Sequence, residues 1–484
     1  MKPDLEQAIT NFRSAARLYE KPDRYYRGDH DLAFATEKFE SAFGSLFREF
    51  ALNLCPSICD AVRDKLKITG FSLETRVRNP DMSEPSVVTG ASRGSKTQDL
   101  KPQIDEIWSD NRMDLTVEEI HLEALKVGDS YAIVWPGPDG QVAIYPQRAA
   151  QCTVAYDEEI PGRIKWGAKY WRDASEYIRL ELFYPDRIEY YISRARGLLV
   201  VPDHREFVPF HPETQSSSKT DPPSTIRIPH AVVQNPFGRI PLFHFANTSE
   251  IGAFGRSELA QAIPIQNGLN KSVLDMLVAM EFSSFRQRWV AGIDFELAEG
   301  GDAVSPFRAG VDRLWMASDP QATFGDFNTT DLEQFLKVKD SFRVDMAGVT
   351  ATPLYYFLQN VRAFASAEAL KRAESRFISK VRDRQKAFGQ TWSALMSFAL
   401  AIAGLGSGIR LRTQWEDPAP IGEREFLENL ILKKRLGVST RQLLLESGYG
   451  DHDVSEMLLS EPPIKKKEKT NERRTTTPTA KISR

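Results

Sequence analysis

Hydrophobic positions between residues 329 and 405 fall into two helical runs separated by a polar break. Thr330 and Glu333 stand at capping-box spacing, which predicts a helix start at Thr330. Leu332, Phe335, Leu336, Phe342 and Met346 then recur at intervals of three and four. The segment Gly348–Pro353 predicts the break, because Pro353 lacks a backbone donor and disfavours helix at Thr352. An apolar, amide-bearing stretch follows, Leu354 to Asn360. A second helix is expected from about Ser366, with Leu370, Phe377, Val381 and Phe388 on one face. Lys371, Arg372, Arg376, Lys380, Arg382, Arg384 and Lys386 occupy its other faces. The stretch holds no nucleophile, metal cage or cofactor loop, so its design is mechanical.

Elsewhere the period changes with position. The first fifty residues read as helical, with Phe39, Phe43, Leu46, Phe47 and Phe50 on a shared face. A short helix ends near Lys65, and Gly70-Phe71 opens a strand. Residues 79–101 are rich in Ser, Gly, Pro and Thr and read as a loop. Helical spacing resumes from Ile104 to Lys126. Tyr131–Trp135 and Gln141–Tyr145 flank a five-residue hairpin loop, Pro136–Gly140. Strands are expected at Arg163–Trp171, Tyr177–Tyr184, Ile188–Ser193 and Ile240–Phe245, with a polar linker at 211–225. Gly252–Gly255 reads as a flexible loop, and a helix runs from Pro264 to about Trp289. Residues 291–328 have room for a small β-element. A strand at Ile409–Thr413, helices at Glu423–Arg435 and Thr440–Glu446, and the short Val454–Leu459 complete the pattern. The fold class is α+β, without the alternation of a doubly wound sheet.

Composition narrows the function classes. The net charge of −3 over 484 residues gives no global reason for nucleic-acid affinity, so any such contact must come from local patches. Cys55, Cys59 and Cys152 form no closed disulfide set and suit a reducing compartment. The N-terminus has no apolar signal region. The most apolar run, Ala394–Leu405, is short of the roughly 20 residues a bilayer span needs and reads as a buried helix. The tail from Ile464 is basic and poor in apolar residues, which predicts disorder.

Candidate chemistry is sparse. Gly90–Thr97 resembles a phosphate loop, but Ser95 precedes Lys96 and the glycine spacing is one residue short. Cys55 and Cys59 share a helical face without the further ligands zinc needs. His30 and His452 each stand alone in a polar turn, and His244 reads as a satisfied core histidine. No hydrolase elbow or metalloprotease motif occurs. The basic residues Lys337, Lys339, Arg343 and Arg362 fit a solvated surface, and equally a surface that guides nucleic acid by phosphate contacts alone.

The order of elements resembles the portal (head–tail connector) proteins of tailed double-stranded-DNA bacteriophages, of the long-tailed type. The resemblance runs from about Tyr25 to Leu459. It rests on Tyr26-Arg27-Gly28, Asn53 through Asp60, Gly70-Phe71, Gly128-Asp129-Ser130-Tyr131, Gly255 through Leu259, Gln266 through Lys271, and Ala365 through Leu370. Ala367 stands where the family usually has glycine.

The resemblance implies an α/β wing over 1–250, a first stem helix over 251–290 and a clip over 291–328. A second stem helix over 329–347, a tunnel loop over 348–365 and a long spine helix over 366–419 follow. A helical crown over 420–460 precedes a tail over 461–484. It further implies a homo-oligomeric ring, usually a dodecamer, in the virion at one capsid vertex, made in the host cytoplasm. Double-stranded DNA would pass through the ring during packaging and ejection. Terminase and head-completion proteins would dock on it, beside the major capsid and scaffolding proteins, with no membrane contact. No catalysis, metal or cofactor is implied. Tyr355, Tyr356, Gln359, Asn360 and Arg362 would face the channel, with Lys337, Lys339 and Arg343 on the stem. Phe335, Phe342 and Phe357 would serve subunit contacts. The competing reading is a non-viral oligomeric scaffold that binds proteins through helical surfaces.

Overall fold

The computed structural model describes residues 3–49, 52–73, 95–210, 232–248, 254–284, 288–291, 321–326, 332–358, 367–406, 408–419, 423–447, 449 and 451–460. The chain divides into two units, Met1–Pro418 and Ala419–Arg484. Of the sequence expectations, the tail from residue 464, the linker 211–225 and most of the clip lie outside the described residues.

The first unit opens with α1 (Pro3–Arg27), α2 (Glu37–Glu49) and α3 (Cys55–Arg63), followed by β1 (Ile68–Leu73). Helix α4 (Ser95–Asp110) begins nine residues before the expected Ile104, so its first two turns take in part of the loop-like segment. Nor is it continuous with α5 (Met113–Val127). Arg112 adopts a left-handed conformation, φ 50°, between the two helices. The reason lies in Asn111: its Nδ2 donates to the Val142 carbonyl at 3.0 Å and its Oδ1 accepts from the Ile144 amide at 2.7 Å. That side chain completes hydrogen bonds of a neighbouring strand, and the helix turns to let it reach.

Strands β2 (Asp129–Pro136) and β3 (Val142–Gln147) form the expected hairpin, with Pro136 paired to Val142 inside the ladder. On the other edge of β2 lies β10 (Leu242–Ala246). The larger antiparallel sheet has order β4 (Cys152–Tyr156), β5 (Ile164–Arg172), β6 (Tyr177–Phe183), β7 (Arg187–Arg196), β8 (Phe207–Pro209), and β9 (Val232–Gln234) also pairs with β7. Period-2 alternation explains its two dry faces. Trp166, Leu180 and Leu182 pack under Leu5, Ile9 and Phe12 of α1, while Val154, Phe183 and Ile188 meet Leu242.

Helix α6 (Ala262–Ser284) starts two residues before Pro264, in the first turn, where proline is tolerated. Trp289, expected at the end of that helix, instead lies in β11 (Arg288–Ala291), paired antiparallel with β12 (Thr323–Asp326). These two strands form a small β-element that brackets the interval 291–328: β12 lies inside it, and β11 begins three residues before it. Then come α7 (Glu333–Thr350), the 36-residue α8 (Ala367–Ile402) and β13 (Leu411–Trp415), which pairs with β1. The described part of α7 begins at Glu333 with Leu332 at the N-cap and no side-chain cap; Thr330 lies outside the described residues.

Helix α8 supplies the centre of the main core. Phe388, Trp392, Leu395, Met396, Phe398 and Leu400 are buried against α3, α5, β2 and β10. Full burial of one such apolar side chain stabilises by about 1.5–3 kcal/mol. The apolar run therefore serves as a buried helix, ending at Ile402. All three cysteines are buried thiols, with Cys55 and Cys59 inside α3. In the second unit α9 (Glu423–Arg435), α10 (Thr440–Glu446) and α11 (Asp451–Ser460) follow the expected boundaries closely.

Candidate functional site

The helices α6, α7 and α8 meet near residues 348–358, the stretch that sequence singles out as a break. Helix α7 continues through Gly348 to Thr350 and stops at Ala351, whose φ of 52° is left-handed. The Thr352 amide donates back to the Ala347 carbonyl at 3.1 Å, closing the helix end. Pro353 then starts a short 3-10 turn, Leu354–Tyr356. The Tyr355 hydroxyl donates to the buried Glu374 of α8, and Tyr356 packs over Phe377 of α8. Phe357 is only 6% exposed, within the main core. The resemblance implies a subunit contact for it; within the chain its ring packs into the main core. Gln359, Asn360 and Arg362 lie outside the described residues.

Below this turn sits a buried ion cluster. Glu258 accepts from Lys380 Nζ at 2.7 Å and from Arg384 Nη2 at 2.6 Å, and its side chain is 7% exposed. Burial alone would raise its carboxyl pKa; the two cations and their hydrogen bonds overcome this and hold it below the ordinary carboxylate value. Lys380 Nζ also donates to the Thr350 carbonyl at 2.8 Å, at the C-terminal end of α7, where the helix dipole favours a cation. One lysine thus joins α8, the end of α7 and the segment leading into α6. Of the expected flexible loop Gly252–Gly255, residues 252–253 lie outside the described residues, and at its end the Gly255 amide donates to Asp129 Oδ1 at 2.7 Å. A Cβ on Gly255 would stand 1.9 Å from the Gly128 carbonyl oxygen, so the two backbones touch where only glycine fits.

A second polar network seats α6. Gln266 Oε1 accepts from the Leu54 amide at 3.0 Å, and its Nε2 donates to Leu52 O and to Asn270 Oδ1 at 3.1 Å. Asn270 Nδ2 donates to His30 Nδ1 at 2.7 Å, and His30 Nε2 donates to the Tyr25 carbonyl at 3.0 Å. Each donor role fixes the next, so His30 is neutral with its proton on Nε2. Burial lowers its pKa, outweighing the opposing hydrogen bonds and the nearby Asp29 and Asp31. His30 is therefore not a surface turn residue but a buried link, 8% exposed. His244 is the satisfied core histidine expected, with Asp129 and Tyr156 each 2.7 Å away.

The basic residues of α7 fall in different settings. Lys337 is exposed and pairs with Glu333 at 3.1 Å, while Lys339 is half-buried. Arg343 pairs with Asp340 at 3.1 Å, and its Nε is buried without a hydrogen-bond partner. Phe335 is half-buried. Phe342 is engaged within the chain, its ring 2.9 Å from the place of a Cβ on Gly268 of α6. Among the described residues there is no cluster of three or more metal-ligating side chains, and no helix is long and apolar enough to cross a membrane. Glu258, Gln266 and His30 were not singled out as site residues by sequence. The signal for one of them was present: Gln266 stands with Asn267 and Asn270 near the start of a largely apolar helix.

Comparison with known proteins places this architecture. The portal protein of Mycobacterium phage L5 is 27% identical over 202 residues, 40% of this chain and 40% of the relative. That of Mycobacterium phage D29 is 27% identical over 192 residues, 38% of this chain and 39% of the relative. The matched stretch thus spans about two fifths of the length of these relatives. A chain from the neck of a native GTA particle, computed with C12 symmetry, is 13% identical with a TM-score of 0.38, over 72% of this chain and 81% of that one. Another from the neck of an empty GTA particle, computed with C6 symmetry, is 12% identical with a TM-score of 0.42, over 89% and 96%. The family model for phage portal protein, SPP1 Gp6-like, matches residues 83–457, well over half of the chain. The chain belongs to that portal protein family.

Proposed function

We propose that this chain is one subunit of a homo-oligomeric ring at a capsid vertex, a conduit for double-stranded DNA during packaging and ejection. The observation that carries this is the family match over residues 83–457. The mechanical design of the α6–α7–α8 junction supports it. Two helices run to and from a small β-element and are tied at one end to a long core helix by Lys380. In this reading residues 1–250 form the wing, α6 and α7 the stem, and 291–328 the clip, the dock for terminase and head-completion proteins. Residues 348–365 form the tunnel loop, α8 the spine and 420–460 the crown. Lys337 and Lys339 are the stem cations best exposed or half-exposed for passing phosphates, whereas Arg343 is committed largely to its own chain. The ring acts by geometry and charge, without catalysis of its own.

Size-exclusion chromatography followed by negative-stain imaging tests this reading. The expected result is a ring with a central channel. A stable monomer or dimer at high concentration overturns it.

A further inference from the structure

Two apolar features of the first unit are exposed and have no partner among the described residues. The turn after β7 carries Leu199, 91% exposed, and Val200, 68% exposed. This tip is anchored on both sides: Arg172 donates to the Leu198 carbonyl, and Arg13 Nε donates to the carbonyl of the buried Val201 at 3.0 Å. Gly197, at φ 67°, makes the turn, and its amide donates to the Glu176 carbonyl at 3.1 Å. A fixed backbone presenting two bare aliphatic side chains is an apolar knob. Arg172 and Arg13 reach it by these hydrogen bonds, Arg194, Arg196 and Arg205 flank it in sequence, and together they outnumber Glu176, Asp203 and Glu206.

The second feature is the outer face of α5. Leu115 is 69% exposed. Glu118 and Glu119, three and four residues on, flank it on the same helical face, and both are exposed. Asp114 stands beside it in the first turn of α5, and the exposed Arg112 lies three residues before it at the N-cap. The helix N-terminus explains carboxylates in the first turn, but not an exposed leucine between two turns of them. Arginines are in excess near the apolar knob, and carboxylates (Asp114, Glu118 and Glu119 against Arg112) near the leucine, so the two are complementary in charge and chemistry, and they belong to different elements, the turn after β7 and α5. Such a pair makes a heterologous contact, the kind that closes into a ring. Apolar burial would supply affinity and the charges would set orientation and register.

We infer that the Leu199–Val200 knob of one copy docks on the Leu115 face of α5 in a second, adjacent copy. The inference rests on the ring reading above and names one of the contacts that would build the ring.

Cysteine pairing tests it on the full-length chain. The native cysteines are all buried, so background coupling is low. The double variant Leu115→Cys/Leu199→Cys, treated with a short bis-maleimide, is expected to give a ladder of covalent oligomers, while each single variant stays monomeric on a denaturing gel. In parallel, Arg194→Glu/Arg205→Glu is expected to raise the concentration for half-assembly by about tenfold. Adding Glu118→Arg/Glu119→Arg to that variant is expected to restore it. Rings by negative stain without a ladder and without a charge effect overturn the inference and leave the ring reading standing. Absence of rings from the unsubstituted chain overturns both. Loss of assembly that the reciprocal charge swap fails to rescue, with no ladder, also overturns it.

Discussion

Buried carboxylates persist where their charge is matched, and Glu258 meets that condition with cations at 2.6 and 2.7 Å. Glu258→Gln would leave Lys380 and Arg384 with an amide in place of a counter-charge. Breaking a buried pair from one side costs about 3–5 kcal/mol. The expected result is a lower urea midpoint for Glu258→Gln than for the parent, with a smaller loss for Lys380→Met, which leaves Arg384 in place. Acid acts on the same group. The native pKa of Glu258 is depressed, so its contribution is complete above the unfolded value of about 4.3 and is lost as pH falls through the native value. Glu258→Gln should flatten that acid limb.

His30 gives a separate limb at higher pH. Its native pKa is also lowered, so below the unfolded value of about 6.5 the unfolded chain takes up the proton first and stability declines. A proton on Nδ1 would face the Asn270 amide hydrogens, with no acceptor to receive it. Thermal midpoints measured between pH 7 and pH 5 should fall for the parent and fall less for His30→Gln. Equal slopes would place the acid sensitivity elsewhere.

At the scale of elements, the end of α7 separates two readings of one sequence. Gly348 looks like the breaker, yet it lies inside the helix with open space where a Cβ would stand. Gly348→Ala should therefore stabilise by about 1 kcal/mol through helix propensity. Ala351, not Gly348, carries the left-handed φ of 52°, so Ala351→Gly should also stabilise, by about 1 kcal/mol. Gly255→Ala should do the opposite, by about 3 kcal/mol, since its Cβ would meet the Gly128 backbone. Denaturant midpoints of the three variants decide between the readings. Sequence made much of this legible. The strands β5, β6 and β7 and the long α8 follow from periodicity because their regular faces are buried, and α9 and α10 follow from helical spacing alone, α9 exposing Leu427, Ile431 and Leu432. What stayed hidden was set by long-range partners. The α4–α5 break answers to Asn111 reaching β3, and β11 claims Trp289 by pairing with β12 across a wide gap in sequence. The rigidity at Gly255 answers to Gly128, which stands far away along the chain. The candidate site was legible in outline only: its basic residues were visible, but not that Lys380 and Arg384 are consumed by Glu258.

At the scale of the whole molecule, charge on the proposed stem would matter through repetition. A single exposed Lys337, already paired with Glu333, contributes little by itself. In the proposed ring the same position would recur in every subunit, and a closed circle of cations would present passing DNA with a uniform, sequence-independent attraction. The contact must also be weak enough to let the duplex move, which suits exposed lysines better than fixed bidentate arginines. Lys337→Glu/Lys339→Glu should therefore leave ring formation intact by negative stain, because neither residue lies in the buried core. It should reduce the DNA packaged per particle, measured as nuclease-protected length, and the deficit should shrink as salt screens the reversed charges. Unchanged packaging would move these lysines from the channel to a solvated outer face. Loss of the ring itself would place them at a subunit contact, where α7 also exposes Leu336 and Val344.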